Sequence, residues 1–192
     1  MKIIDISREM FSAPVYPGDP KPYRDAVRRM DMGDGYNLSG FYACCHSATH
    51  MDAPLHFIDG GSPIDGTDLK RCFGPCSVIE ANGIVTGADI DKISPYIKKR
   101  VLFKGGGKAF LSQSASFALA DFGVLLVGTD AQSISTQDSD AAVHRELLGA
   151  GIPILEGLDL ENAGAGDYII AALPLKLGGA EAAPVRAVLI CK

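Results

Sequence analysis

The sequence predicts an α/β protein with more strand than helix. Three observations lead there. Val124–Val127 is a continuous apolar run, the pattern of a strand covered on both faces. A capped helical segment follows it, and then a second apolar run at Ile152–Leu155, so strand, helix and strand form a βαβ unit. Other strand-like runs outnumber the helical ones over the rest of the chain.

In chain order, Lys2–Ile6 alternates and reads as a first strand. Phe11–Lys21 carries three prolines and a Gly-Asp pair and reads as a loop. Tyr36–Cys45 is aromatic-rich and strand-like, and Asp59–Pro63 is a turn cluster. Cys76–Ala81 and Arg100–Phe103 read as buried strands, with a short helix near Ala88–Lys92 between them. Lys104–Lys108 is a glycine-rich loop, and the Gly/Ser/Ala-rich stretch to Asp121 gives no element. The helix of the βαβ unit spans Ala141–Leu148, capped by Asp138 or Ser139 and ended by Gly149 and Gly151. Tyr168–Leu173 and Val185–Ile190 complete a sheet-rich C-terminus.

Composition narrows the function. A chain of 192 residues is expected to be a single domain, residues 1–192, with a sizeable core. The net charge is −5, and no basic block exceeds Lys98-Lys99-Arg100, which argues against nucleic acid as a partner. No apolar run approaches the ~18 residues of a membrane span. The charged N-terminus does not read as a signal peptide, and five cysteines without framework spacing suggest a reduced, cytoplasmic protein.

The chemistry concentrates in one segment. Of four histidines, three fall in His46-Ser-Ala-Thr-His50-Met-Asp52-Ala-Pro-Leu-His56, with a carboxylate among them. Imidazole is the commonest protein metal ligand, and carboxylate often accompanies it at hydrolytic sites. A helix would turn Asp52 away from His46 and His50. A flat strand at ~3.3 Å per residue would leave His46 and Asp52 about 20 Å apart, too far for ligand bonds of ~2.0–2.2 Å. A shared metal therefore requires the backbone to curl, at the small residues Ser47, Ala48 and Ala53 and at Pro54. A single histidine is usually solvated or a core residue; three with an aspartate at this density favour a metal site. The fourth, His144, lies on the predicted helix, and Glu156 ends the strand after it, where α/β proteins usually bind ligands.

His46-x-x-x-His50-x-Asp52-x-Pro54-x-His56-Phe57 resembles the signature of the putative cyclase family, which includes bacterial kynurenine formamidases and isatin hydrolases. The similarity extends to Ile-Asp-Ile-Ser near the start, Tyr16-Pro17-Gly18-Asp19, Gly128-Thr129-Asp130, His144-Arg145, Ile154-Leu155-Glu156 and Leu173–Ala187. It implies a swivelling β/β/α-type fold and a pair of divalent metal ions, zinc or manganese. In this reading His46, His50 and Asp52 bind the first metal with Glu156, His144 binds the second, and Asp52 and Glu156 bridge both. His56 is then the acid/base rather than a ligand. The family usually has glycine at the position of Ala48 and tryptophan near Tyr16, the candidate substrate contact.

The implied reaction is amide hydrolysis. A metal pair generates hydroxide at neutral pH and polarises the carbonyl, and His56, near pKa ~6.5, protonates the leaving amine. The expected substrate is N-formylkynurenine or a related formylated aromatic amine, a step of tryptophan catabolism. The alternatives are a lactam (isatin-like) hydrolase and a non-catalytic metal- or ligand-binding relative. A homodimer or homotetramer is expected from the same resemblance. Asp19, Thr49, Asp130 and Ser133 are candidate supporting residues that could equally cap turns. Arg186 is expected in an ion pair, the cysteines in structural roles, and Tyr16, Tyr36, Phe41, Tyr42 and Phe57 as candidate pocket walls.

Overall fold

The computed structural model describes residues 1–191. The strands are β1 (Lys2–Asp5), β2 (Tyr23–Arg28), β3 (Leu38–Tyr42), β4 (His50–Asp52), β5 (Phe73–Glu80), β6 (Gly83–Val85), β7 (Arg100–Lys104), β8 (Ala109–Leu111), β9 (Leu126–Thr129), β10 (Ile154–Glu156), β11 (Gly166–Pro174) and β12 (Ala182–Cys191). The helices are α1 (Leu69–Cys72), α2 (Gly87–Ile93), α3 (Gln113–Phe122) and α4 (Asp140–Gly149). This is the strand-rich mixed α/β architecture that the sequence predicts.

Seven strands close into a barrel in the order β12-β11-β5-β7-β9-β10-β4, with β4 pairing back onto β12. The long β12 makes closure possible because one of its edges serves two partners. Ala182–Pro184 pairs with β4, and Val188–Cys191 pairs with β1. Closure leaves few unpaired strand edges.

Side-chain alternation builds two cores on this sheet. Leu102, Leu126, Leu155 and Met51 point inward and meet Val78, Ile170 and Leu189. Val101, Phe103, Val127 and Ile154 point outward beneath Ile90, Leu119 and Leu147 of the helices. Strands β7 and β9 are thus covered on both faces, which is why they read as unbroken apolar runs.

The βαβ unit is present: β9 and β10 are parallel neighbours, with α4 between them in sequence. Its strands start two residues later than the apolar runs suggest, because Val124 and Ile152 pack as core residues ahead of the ladder. Of the two expected α4 caps, Ser139 takes the N-cap position and Asp138 lies one residue before it. A short 3-10 turn, Gln137–Ser139, precedes the helix, and Ser139 caps it without a side-chain hydrogen bond. The blank stretch after Lys108 contains β8 and α3. Ser112 caps α3 by accepting from the Ala115 N–H, and Gly123 ends it at φ +74°. Tyr36–Cys45 shortens to β3, whose partner β2 alternates too weakly to be read from sequence.

Candidate metal centre

The backbone curls as a shared site requires. A turn over Cys45–Ser47 and a left-handed Ala48 (φ +57°) reverse the chain before β4. His46 therefore returns to Asp52, with Nδ1 3.0 Å from Oδ1. On β4, Met51 enters the barrel core while His50 and Asp52 project from the opposite face. Antiparallel pairing sets His50 opposite Glu156 of β10. Helix α4 lies over this face and carries the buried His144. The glycine after Glu156 is required by close approach, since a Cβ on Gly157 would lie 2.2 Å from the Ala48 carbonyl oxygen.

The two carboxylates divide the histidines between their oxygens. Asp52 Oδ1 lies 3.0 Å from His46 Nδ1 and 3.5 Å from His50 Nε2, and its Oδ2 lies 3.7 Å from His144 Nε2. Glu156 Oε2 lies 3.4 Å from His50 Nε2, and its Oε1 lies 3.3 Å from His144 Nε2. The distal ring nitrogens are held by backbone. His50 Nδ1 is 3.1 Å from the Ala48 carbonyl, and His144 Nδ1 is 2.8 Å from the Asp140 carbonyl. An Nδ1–H donated to each carbonyl leaves each Nε2 lone pair aimed at the carboxylates, the tautomer a metal ligand needs.

Asp52 is completely buried, and neither of its oxygens has a hydrogen-bond partner; His50 Nε2 is likewise unpartnered. Imidazole nitrogens approach to 3.0–3.7 Å without hydrogen-bonding to Asp52, and burying a carboxylate with no hydrogen bond is costly, so a cation between these donors accounts for the arrangement. The donors also fall within ligating reach of one another in two sets, His46-Asp52-His56 and His50-Asp52-Glu156, which share Asp52. Hard carboxylate oxygens and imidazole nitrogens suit a divalent first-row ion.

Electrostatics in the metal-free protein agree with a cation site. Burial alone would depress His50 and His144, but the Glu156 carboxylate beside each ring and the negative charge of Asp52 override it and push both up to about 9. Burial opposes ionisation of Glu156, yet the same two histidines hold it well below the carboxylate range. His56 departs from the ordinary value that the sequence suggests. Burial lowers it, the charge of Asp52 partly opposes this, and His46 and His144 lower it further.

His56 sits on a short 3-10 turn, Pro54–His56, its ring 4.2 Å from that of His46 and 4.5 Å from Phe57. Phe57 also stacks on His144 at 4.5 Å. The donors face a cavity of about 190 Å³ bordered by Tyr16, Asp19 and Phe57. It adjoins a larger one of about 530 Å³, with Tyr16, His46 and His50 on both walls. Of the expected aromatic walls, Tyr16 and Phe57 are therefore at the site. Tyr36, Phe41 and Tyr42 are exposed elsewhere.

The supporting residues do varied work. Ser133 Oγ donates to Asp140 Oδ1 (2.9 Å) and approaches Glu156 Oε1 (3.4 Å), which also accepts from the Ile134 N–H (2.7 Å). Thr49 Oγ donates to the Gly157 carbonyl (2.6 Å), and Asp130 accepts from the N–H groups of Gly105, Gly106 and Gly107. Arg186 pairs with Asp5 on the surface, away from the cavity. The five cysteines are free, and burial pushes Cys72 to about 11 and Cys76 to about 12, as expected for inert core thiols.

Two acidic neighbours are absent from the sequence reading. Asp140 Oδ1 lies 3.3 Å from His144 Nδ1, and its i, i+4 spacing was a readable signal. Glu181 Oε1 lies 3.3 Å from His46 Nε2. It arrives through the β4–β12 pairing, which no local pattern announces.

A sequence profile of the Putative cyclase family matches residues 4–136. A kynurenine formamidase of Salinibacter ruber is 39% identical over 98% of this chain and 97% of its own length. A solved structure described as a potential metal-dependent hydrolase with cyclase activity is 32% identical and superposes with a TM-score of 0.84, over 98% of this chain and 96% of that one. Isatin hydrolase A of Labrenzia aggregata shares the fold at a TM-score of 0.81 and 18% identity, over 100% of this chain and 94% of that one. With its clustered His, Asp and Glu donors, the chain is a metal-dependent hydrolase that belongs to the Putative cyclase family.

Proposed function

We propose that the chain is an arylformamidase-like amidohydrolase that cleaves N-formylkynurenine or a related formylated aromatic amine. The observation that carries the chemistry is Asp52, a fully buried carboxylate with no hydrogen-bond partner, set among histidines beside a cavity. The substrate class rests on end-to-end similarity to a kynurenine formamidase. The whole of residues 1–192 acts as one domain, taking a small amide substrate in the cytoplasm.

His46, His50, Asp52 and Glu156 would hold one divalent ion and His144 a second, with Asp52 and Glu156 contributing to both. Two such ions, zinc or manganese, would supply a lowered pKa for water and polarisation of an amide carbonyl. His56, kept neutral by burial, takes a proton from the attacking water. It then delivers that proton to the amine nitrogen as the C–N bond breaks. Tyr16 lies against the aromatic ring of the substrate, and Phe57 fixes the tilt of the His144 ring. A homodimer or homotetramer is the assembly that fits the exposed apolar ribbon β2–β3.

The test is a panel of N-formylkynurenine, formanilide and isatin, run with metal-loaded protein. Formate release from the formamides is the expected result. Ring opening of isatin alone would move the assignment to a lactam hydrolase. Tight metal binding with no turnover of any of the three would overturn the catalytic reading.

A further inference from the structure

We propose that Arg8 is a specificity-determining residue, selecting substrates that carry a carboxylate apart from the scissile amide. The proposal rests on the amidohydrolase reading above and adds to it the anionic character of the substrate.

Arg8 follows β1, where Ser7 bridges to Leu158. Its backbone N–H donates to Thr49 Oγ (2.9 Å), whose hydroxyl donates in turn to the Gly157 carbonyl. One hydroxyl thus ties Arg8 to both segments that carry metal donors. The position of Arg8 relative to the centre is fixed by the same contacts that shape the centre.

The side chain lines the larger cavity, on which Tyr16, His46 and His50 also border. It is the only Lys or Arg among the lining residues. A guanidinium has five N–H donors. Here Nη2 donates to the Asp130 carbonyl at 3.3 Å, and no carboxylate lies within ion-pair distance among the described residues. Asp130 is the acidic residue that shares this wall, but its carboxylate is taken up by the N–H groups of Gly105, Gly106 and Gly107. The charge of Arg8 is therefore half-buried in a cavity wall without a counter-ion. Away from His46 and His50 at the metal-donor end, the remaining polar side chains, Gln132, Ser133, Ser135, Thr136 and Gln137, are neutral.

The cavity accordingly has a metal-donor end, a cationic wall, and Tyr16 and Phe110 as aromatic surfaces. A volume of about 530 Å³ suits a substituted aromatic amide. A planar carboxylate matches the guanidinium fork, and charge-assisted bonds of this type are the strong ones.

The alternative is that Arg8 only pins the N-terminal segment to the strand end at Asp130. Arg8→Gln and Arg8→Lys separate the two with metal-loaded full-length protein. N-Formylanthranilate carries the carboxylate and formanilide lacks it. Arg8→Gln is expected to raise KM for N-formylanthranilate by about tenfold more than for formanilide, with kcat little separated, and Arg8→Lys should restore part of the difference. Calorimetric binding of benzoate against benzamide reads the same preference without turnover. Arg8→Gln should weaken benzoate by about tenfold and leave benzamide as in the parent. Equal KM changes for both substrates, or benzoate binding that ignores the substitution, would overturn the proposal. If neither formamide is hydrolysed by the parent protein, the amidohydrolase reading falls, while the benzoate comparison still decides the role of Arg8.

Discussion

At Ala48 an ordinary side chain occupies a conformation that favours glycine, at φ +57°. An L-residue there costs about 1–2 kcal/mol, partly offset because glycine has more unfolded-state freedom to lose. The strain persists because the turn must return His46 to Asp52 and offer the Ala48 carbonyl to His50. Ala48→Gly should therefore stabilise the protein by about 0.5–1 kcal/mol, or roughly 2 °C in Tm, with metal content unchanged. Thermal unfolding measures this, and a loss of stability would show that the turn is not strained. His56 poses a sharper question, because it lies within ligating reach of His46 and Asp52 while its proposed role is proton transfer. His56→Ala should lower kcat by about 10²–10⁴-fold and leave bound metal stoichiometric by elemental analysis. Loss of metal in that variant would make His56 a ligand. Asp52→Ala is expected to lose metal outright, since its oxygens face His46, His50 and His144.

The centre exists where β4, β10 and α4 converge, and its pH behaviour belongs to that convergence. In the metal-free protein His50 and His144 are raised from 6.5 to about 9. Their stabilising contribution is complete below about pH 6.5 and is lost as pH rises through about 9. Glu156 is lowered, so its contribution is present above about pH 4.5 and fades below that. A metal ion needs the neutral imidazoles and must displace their protons. The Tm increment on adding zinc or manganese should therefore grow from pH 6 to pH 9, and binding should release protons, detectable by calorimetry in buffers of different ionisation enthalpy. An increment that stays flat across this range would remove both histidines from the ligand set. Much of this convergence was legible in the sequence. The His46–His56 spacing demanded a curl, and the βαβ pattern put His144 and Glu156 at one end. The β4–β10 register was not legible, because three residues of strand carry no periodicity to read. Helix α3 was not legible for a different reason: its Ser and Ala residues are poor markers of a face, and among Phe117, Leu119 and Phe122 only Leu119 is fully buried.

For the molecule as a whole, the barrel closes its main sheet but leaves the ribbon β2–β3 outside it, paired only with itself. All six residues of β2 are exposed. The ribbon and its connection carry Tyr23, Val27, Met30, Met32, Tyr36, Leu38, Phe41 and Tyr42 in solvent, with Met32 74% exposed. An isolated two-stranded hairpin is marginal in water, and an exposed apolar surface of this kind is the type that contacts between chains cover. Partial order is already built in: Tyr23 stacks on Tyr42 at 5.7 Å, and Phe11 meets Phe41 edge-on at 6.4 Å. Phe11 opens the loop that carries Tyr16, so the ribbon is joined to one wall of the larger cavity. Assembly through this ribbon would cover the apolar surface and steady that wall. The parent protein is expected to run as a dimer or tetramer by light scattering at micromolar concentration. Tyr23→Asp combined with Val27→Asp should yield a monomer with the same far-UV circular dichroism and a raised KM, because Tyr16 loses its support. A parent chain that is monomeric, or a double variant that still assembles, would rule out the ribbon as the contact between copies.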